Sequence, residues 1–137
     1  MAMLRLIDWE DRLNELIGER MTAPFEWGLH DCALWGADAV LAQTGEDHGA
    51  AFRGKYDDAE GAAAALREFG AGTIVRTYNA ALPKRELALL RRGDIAMIGE
   101  GIKGSVGVVI GGDGLFTDTD GLMRVPRALW TRGWAVG

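Results

Sequence analysis

The single cysteine of this 137-residue chain, Cys32, follows directly after Asp31. Asp31 is a favourable helix N-cap residue, and an apolar segment with helical periodicity follows, so we expect a helix to begin at Asp31. A thiol in the first turn of a helix lies at the positive end of the helix dipole, among backbone amides that have no intrahelical partner. Because that setting lowers a thiol pKa, Cys32 is a candidate nucleophile. The alternative is a small side chain that is buried at the helix start.

A thiol nucleophile also needs a general base within hydrogen-bond reach. The chain has two histidines. His30 would either fold back over the helix start as a base or make a local backbone hydrogen bond. His48 would either cover the cleft from a polar loop or stay solvated. Trp27 and Trp35 flank the cysteine, and they would either line a substrate groove or pack in the core.

Helical periodicity in the first half of the chain predicts the elements that position these residues. Glycines and a Thr-Ala-Pro segment mark the expected helix ends. A polar loop over residues 46–57 separates the second helix from the third. The three predicted helices run from about Asp8 to Met21, from Asp31 to about Thr44 before Gly45, and from Asp58 through Phe69 before Gly70.

The pattern then changes to short strands separated by glycine-rich turns. Helices followed by strands predict an α+β fold, in which N-terminal helices pack on a short-stranded antiparallel sheet or half-barrel. Nothing in the sequence divides the chain, so we expect a single domain over residues 1–137. The predicted strands are Thr73–Tyr78, Asp94–Ile98, Ser105–Ile110, Leu115–Thr117, Leu122–Val125 and Trp134–Val136.

Composition excludes several classes of partner and cofactor. The net charge of −5 and the scattered basic residues argue against nucleic-acid binding. One cysteine rules out an intrachain disulfide, and the histidine spacing matches no metal-site pattern, so we expect no metal and no cofactor. There is no apolar run of membrane-spanning length and no signal-peptide layout at the N-terminus. A single free cysteine fits a reducing compartment, or a particle assembled in one.

Three short motifs in a fixed order resemble the NlpC-type papain-like cysteine hydrolases. Asp31-Cys32 matches the Asp-Cys pair that begins the central helix of that superfamily. Gly93-Asp94-Ile95 matches its Gly-Asp strand opener. The segment Ser105-Val106-Gly107-Val108-Val109-Ile110-Gly111 is similar to the strand that should begin with the catalytic histidine. The resemblance covers most of the chain from Phe25 onward and implies a papain-like fold.

The resemblance breaks at the catalytic base, because Ser105 occupies the expected histidine position. Thr117 or Asp118 falls near the third, orienting position of the superfamily. A serine hydroxyl supplies neither a base nor an acid at neutral pH, so the substitution should remove most of the rate acceleration. The carboxylate of Asp31 would also oppose ionisation of the thiol if it lies close to it.

A narrower resemblance is to a small phage-tail branch of the same superfamily, which carries the tail-tip peptidase beside the hub. It implies partners among the hub and baseplate proteins, contact with peptidoglycan, and a location in the virion tail after assembly in the bacterial host cytoplasm. The segments that carry it are Phe25-Glu26-Trp27-Gly28 with Asp31-Cys32, Thr44-Gly45-Glu46-Asp47, Phe52-Arg53-Gly54-Lys55-Tyr56, Gly121-Leu122, Val125-Pro126 and Trp134-Ala135-Val136.

Two functions follow as expectations. The first is a structural or assembly protein of the phage tail tip or baseplate, with a degenerate NlpC-like fold that docks to hub or tail proteins. The alternative is a cysteine peptidase that hydrolyses cell-wall amides during phage entry. In that case Cys32 would attack the carbonyl, its own backbone amide would help to hold the oxyanion, and His30 or His48 would replace the missing base.

Overall fold

The computed structural model describes residues 4–137, apart from the side chain of Ile102. Residues 1–3 lie outside the described residues. They are part of the expected single domain and of the N-terminus in which we expect no signal peptide. The described helices are α1 (Trp9–Arg20), α2 (Leu34–Thr44), α3 (Ala59–Phe69) and α4 (Ile74–Ala81). The strands that follow are β1 (Ile95–Ile98), β2 (Ser105–Val109), β3 (Asp113–Asp118), β4 (Gly121–Pro126) and β5 (Arg132–Trp134).

The strands form one antiparallel sheet in the order β4-β3-β2-β1-β5. The α+β class and the antiparallel sheet predicted from the sequence are therefore confirmed. Side chains alternate across β1, so Ile95 and Met97 join the larger core cluster with Leu13 and Trp35, whereas Ala96 joins a smaller cluster on the other face. Both faces of the central strands are buried.

Helix α2 ends as predicted but begins later than predicted. Gly45 has φ 80°, the left-handed conformation that favours glycine, and its N–H donates to the Leu41 carbonyl. Regular helix begins at Leu34, three residues after the predicted start. Asp31 nevertheless caps the helix start, because its carboxylate accepts the N–H groups of Ala33 and Leu34 at 3.0 and 2.9 Å and its carbonyl accepts the Trp35 N–H at 3.1 Å. Cys32 therefore lies in the capping turn just before the regular helix.

The predicted strand over Thr73–Tyr78 is wrong, because this segment forms helix α4. Its β-branched residues favour a strand by propensity. However, Ile74 and Tyr78 are four residues apart and both pack toward the larger core. The Thr73 hydroxyl caps the helix by accepting the Arg76 N–H at 3.1 Å. Packing of one helical face outweighs propensity here.

The remaining elements agree with the prediction to within a few residues. Helices α1 and α3 lie where expected, and Asp58 caps α3 by accepting the Gly61 N–H at 2.6 Å. Strand β3 is longer than predicted, and β5 lies two residues earlier, over Arg132–Trp134. No helix within residues 4–137 is long and apolar enough to cross a bilayer.

Candidate functional site

Cys32 lies where three elements meet at the start of α2. The Val106 N–H of β2 donates to the Cys32 carbonyl at 2.9 Å. From the other side, the Tyr78 hydroxyl of α4 donates to the Ala33 carbonyl at 2.6 Å. These two bonds hold the backbone around the thiol between the sheet and α4.

The Asp31 carboxylate fixes the segment on the other side of Cys32. It is fully buried and accepts the Gly28 N–H at 2.9 Å and the Tyr56 hydroxyl at 2.6 Å, besides its two bonds at the start of α2. A buried charge is tolerated when hydrogen bonds of this kind replace water. The carboxylate therefore anchors both the turn before Cys32 and the loop that carries Tyr56.

The Cys32 thiol is in the opposite electrostatic state from the one expected at a helix N-terminus. Burial, and after it the adjacent negative charge of Asp31, raise the pKa of Cys32 to about 11 against the opposing effect of a backbone hydrogen bond. The expected lowering of the thiol pKa is thus wrong, and the expected opposing effect of Asp31 is confirmed. With this pKa, only ~1 thiol in 10⁴ is ionised at pH 7.

The His30 ring hydrogen-bonds to Arg20 and not to the Cys32 thiol. Its Nδ1 lies 3.0 Å from Nη1 of Arg20, and its ring contacts Trp35 edge-on. Because arginine only donates, Nδ1 accepts and the ring proton lies on Nε2, which is buried without a hydrogen-bond partner. Burial lowers the pKa of His30, and the Arg20 charge lowers it further. Neither ring nitrogen hydrogen-bonds to Cys32, which does not favour His30 as its base.

Ser105 is the first residue of β2 and immediately precedes Val106, whose N–H bonds the Cys32 carbonyl. It is half-buried and pairs with Ile98 of β1. At the orienting position, Thr117 lies inside β3 with a buried hydroxyl that has no hydrogen-bond partner, and Asp118 ends β3 exposed to solvent. Ser105 is thus the chain neighbour of the residue that hydrogen-bonds the Cys32 carbonyl.

A cavity of about 490 Å³ opens beside the thiol, between α2, α3, α4 and the loop over residues 46–57. Cys32, Tyr56 and His48 belong to its wall, and neither His30 nor Ser105 does. The His48 ring is partly exposed, with Nε2 3.8 Å from the Glu46 carboxylate. Of the flanking tryptophans, Trp27 lines the cavity, whereas Trp35 is fully buried in the core.

Ion pairs hold the loop in place over the cavity. Arg53 contacts the buried Asp38 of α2 at 2.6 Å and binds Asp47 through two hydrogen bonds of 3.0 and 2.9 Å. Arg20 of α1 contacts the same Asp38 at 2.8 Å. The Gly54 N–H donates to the Gly28 carbonyl at 2.9 Å. The loop is thereby joined to α2 and to the turn that precedes Cys32.

Comparison with protein families matches residues 4–136 to a family described as a domain of unknown function (DUF6950). The chain belongs to the DUF6950 family. No curated protein matches the DUF6950 chain. Within residues 4–137 of this DUF6950 domain, no group of three or more His, Cys, Asp or Glu side chains is placed to hold a metal ion.

Sequence reasoning missed several residues that build this DUF6950 site. Tyr56 occurs in a segment that carries the phage-tail resemblance, but nothing in its local pattern indicates a bond to Asp31. The predicted strand over Thr73–Tyr78 gives no indication that Tyr78 lies next to α2. The Arg53–Asp38 pair spans 15 residues, and only the close approach of the loop to α2 brings the two together.

Proposed function

We propose that this chain is a structural or assembly protein of a phage tail tip or baseplate, with an NlpC-like fold that lacks hydrolytic competence. The observation that carries the proposal is the state of Cys32, a half-buried thiol with a pKa raised to about 11. Ser105 begins the neighbouring strand where the resemblance places an imidazole. A thiol without a base fits binding better than turnover.

The arrangement of elements supports the NlpC-like part of the proposal. The cysteine at the start of α2 is hydrogen-bonded through its carbonyl to β2, and β2 is the strand that begins at the expected histidine position. The order of motifs along the chain therefore agrees with their contact in space. The phage-tail role itself rests on the narrower resemblance.

The sizes of the expected catalytic effects favour a non-hydrolytic role. Positioned acid–base transfer is worth about 10²–10⁴-fold in rate. A helix N-terminus contributes at most about 2 kcal/mol towards a charged group, and at Cys32 burial and Asp31 outweigh that contribution. The remaining chemistry is too weak for an efficient peptidase.

Docking to a tail protein would use the surface around the cavity mouth. Phe69 of α3 lines the cavity with 43% of its surface exposed. A large exposed apolar side chain at the wall of a cavity is typical of a contact surface. Leu129, 61% exposed, lies outside the cavity wall after β4 and serves as a control position.

A photo-crosslinking experiment tests the proposal. A benzophenone amino acid replaces Phe69 in one chain and Leu129 in another, and each chain is produced in the bacterial host during particle assembly. We expect crosslinks from position 69, but not from 129, to a hub or baseplate protein identified by mass spectrometry. Absence of the chain from purified particles, or equal crosslinking from both positions, would contradict the role.

The hydrolase alternative retains one supporting observation, because His48 and Cys32 line the same cavity. In this reading His48 would act as the base, and Cys32 would cleave a cell-wall amide. Alkylation of Cys32 by iodoacetamide, followed across pH in the wild type and in His48→Gln, separates the two functions. Slow labelling at pH 7 that is unchanged by the substitution supports the docking protein, whereas fast labelling that His48→Gln slows supports the hydrolase.

A further inference from the structure

Two helices contribute apolar side chains to the cavity wall. Ala62, Leu66 and Phe69 recur at the spacing of one helical face of α3, and all three line the cavity. Leu34 and Val40 of α2 also line it, and both are almost completely buried. In a closely packed domain side chains would fill such a space, but here about 490 Å³ remains open.

The size of this space is that of a ligand site. Pockets for small molecules are typically about 300–1,000 Å³ and predominantly apolar. Unfilled apolar volume forgoes dispersion contacts, so a molecule that occupies it gains contacts the protein cannot make by itself. The cavity is therefore able to take a hydrocarbon group in full.

The polar groups of the wall define the charge of the ligand. Among the described residues that line the cavity there is no lysine or arginine, and the one carboxylate is Asp31. The Tyr56 and Tyr78 hydroxyls already donate, to Asp31 and to the Ala33 carbonyl. A negatively charged head group would thus meet the buried Asp31 carboxylate, and the wall offers it no lysine or arginine.

The loop over residues 46–57 makes the cavity a pocket rather than an open groove. Arg53 joins this loop to α2 through Asp38, and the Tyr56 hydroxyl joins it to Asp31. The resulting wall includes Gly49 and Phe52 of the loop, and the Phe52 ring contacts Phe69 of α3 edge-on, with 6.2 Å between the ring centroids. An enclosure on several sides suits a small molecule better than a helix of a partner protein.

We propose that this cavity binds a neutral ligand with an aliphatic chain, whose hydrocarbon part lies between α2 and α3 and whose uncharged head group lies near Cys32. The inference goes beyond the proposed phage-tail role and does not rest on it. It concerns the isolated chain, so its failure and the failure of docking are separate results.

Competition binding tests the ligand class. Nile red, a neutral fluorescent dye, reports occupancy, and decan-1-ol and decanoate serve as matched competitors that differ in head-group charge. We expect saturable dye binding with a 1:1 stoichiometry, displaced at least 10-fold better by decan-1-ol than by decanoate. Absence of saturable binding, or equal displacement by both, would overturn the proposal.

A matched pair of substitutions on α3 tests the location. Ala62 lines the cavity, and Ala64 on the same helix is exposed outside it. We expect Ala62→Phe to weaken decan-1-ol binding at least 10-fold by filling the cavity, and Ala64→Phe to leave it within twofold. Equal effects of the two would place the ligand elsewhere and refute the assignment.

A measurement on the unsubstituted chain tests the location of the ligand even if Ala62→Phe fails to fold. Because Cys32 lines the cavity, decan-1-ol should slow its alkylation at pH 9 in proportion to occupancy, at least fivefold at saturation. Alkylation that stays unchanged while the dye is displaced would show binding at another surface, and would overturn the proposal.

Discussion

At the scale of single residues, burial and charge act on Cys32 in the same direction. Both favour the protonated thiol, so the group that could attack a carbonyl is scarce at neutral pH. Ser105 offers no compensation, because a hydroxyl at the start of β2 neither accepts the thiol proton nor stabilises a thiolate by charge. The chemistry of the site therefore depends on what stands at position 105.

Under the proposed NlpC-like fold, an imidazole at position 105 should favour ionisation of the Cys32 thiol. In Ser105→His, an imidazolium beside the thiolate would favour ionisation of Cys32, and we expect its alkylation at pH 7 to be at least 10-fold faster than in the wild type. That factor corresponds to one pKa unit, or about 1.4 kcal/mol. Ser105→Gln is the control of similar size without a titrating group. Equal rates in the two variants would contradict the assignment of position 105.

His30 predicts a pH dependence of stability. Its pKa in the folded protein lies below the ordinary value of 6.5, because burial and Arg20 disfavour the charged ring more than Asp38 and Asp31 favour it. The unfolded chain therefore binds the proton more readily, and the free energy of unfolding should fall as pH drops through about 6.5. Urea unfolding between pH 7.5 and 5.5 measures this.

His30→Gln is the matched variant for that experiment, since an amide can occupy a similar place without titrating. We expect its stability to vary less over the same pH interval than that of the wild type. A wild-type protein that becomes more stable on acidification would contradict the predicted direction.

At the scale of elements, the backbone conformation at position 45 requires a glycine, whereas the space around it would admit a side chain. Its φ of 80° is left-handed, and a Cβ built there meets no atom within 4 Å. Gly45→Ala should therefore cost about 1–2 kcal/mol through backbone strain alone. Gly18, inside α1 and also without near neighbours, is the control. There, replacement by alanine should stabilise the protein by about 0.5–1 kcal/mol.

Thermal or urea unfolding of both variants measures the contrast. Stability changes of the same sign at the two positions would contradict the helix end at Gly45. A neutral Gly45→Ala would indicate that the chain after α2 relaxes into another conformation.

How far the elements follow from sequence depends on the kind of signal. Gly45 and Gly70 mark helix ends through local backbone chemistry, and those ends are correct. The segment Thr73–Tyr78 misleads because its propensity favours a strand, whereas contacts with distant core residues make it helical. At the start of α2, Asp31 makes the capping bonds that its residue type predicts, whereas regular helix begins only at Leu34, after a turn over Cys32 and Ala33.

The candidate site likewise has features that can be predicted from the sequence and features that cannot. The resemblance to the NlpC-type hydrolases implies that Cys32 and the start of β2 come together, and the Val106 N–H donates to the Cys32 carbonyl. The high thiol pKa depends on burial, and the Arg53–Asp38 pair depends on a loop crossing α2. Neither leaves a pattern in the local sequence.

At the scale of the whole molecule, the chain combines a closely packed half with an open one. Helices α1 and α2 and the sheet enclose the larger core. In contrast, α3 and the loop over residues 46–57 surround a cavity. Arg53 joins this loop to Asp38 of α2, and Tyr56 joins it to Asp31. A binding protein needs a rigid framework beside an accessible space, and this division supplies both.

The most direct measurement of the central claim is the release of new amino groups from purified muropeptides, for the wild type beside Cys32→Ala. The raised thiol pKa and the hydroxyl at position 105 predict that both proteins leave the muropeptides intact to the same extent. Cleavage by the wild type that disappears in Cys32→Ala would show a working thiol hydrolase and contradict the account.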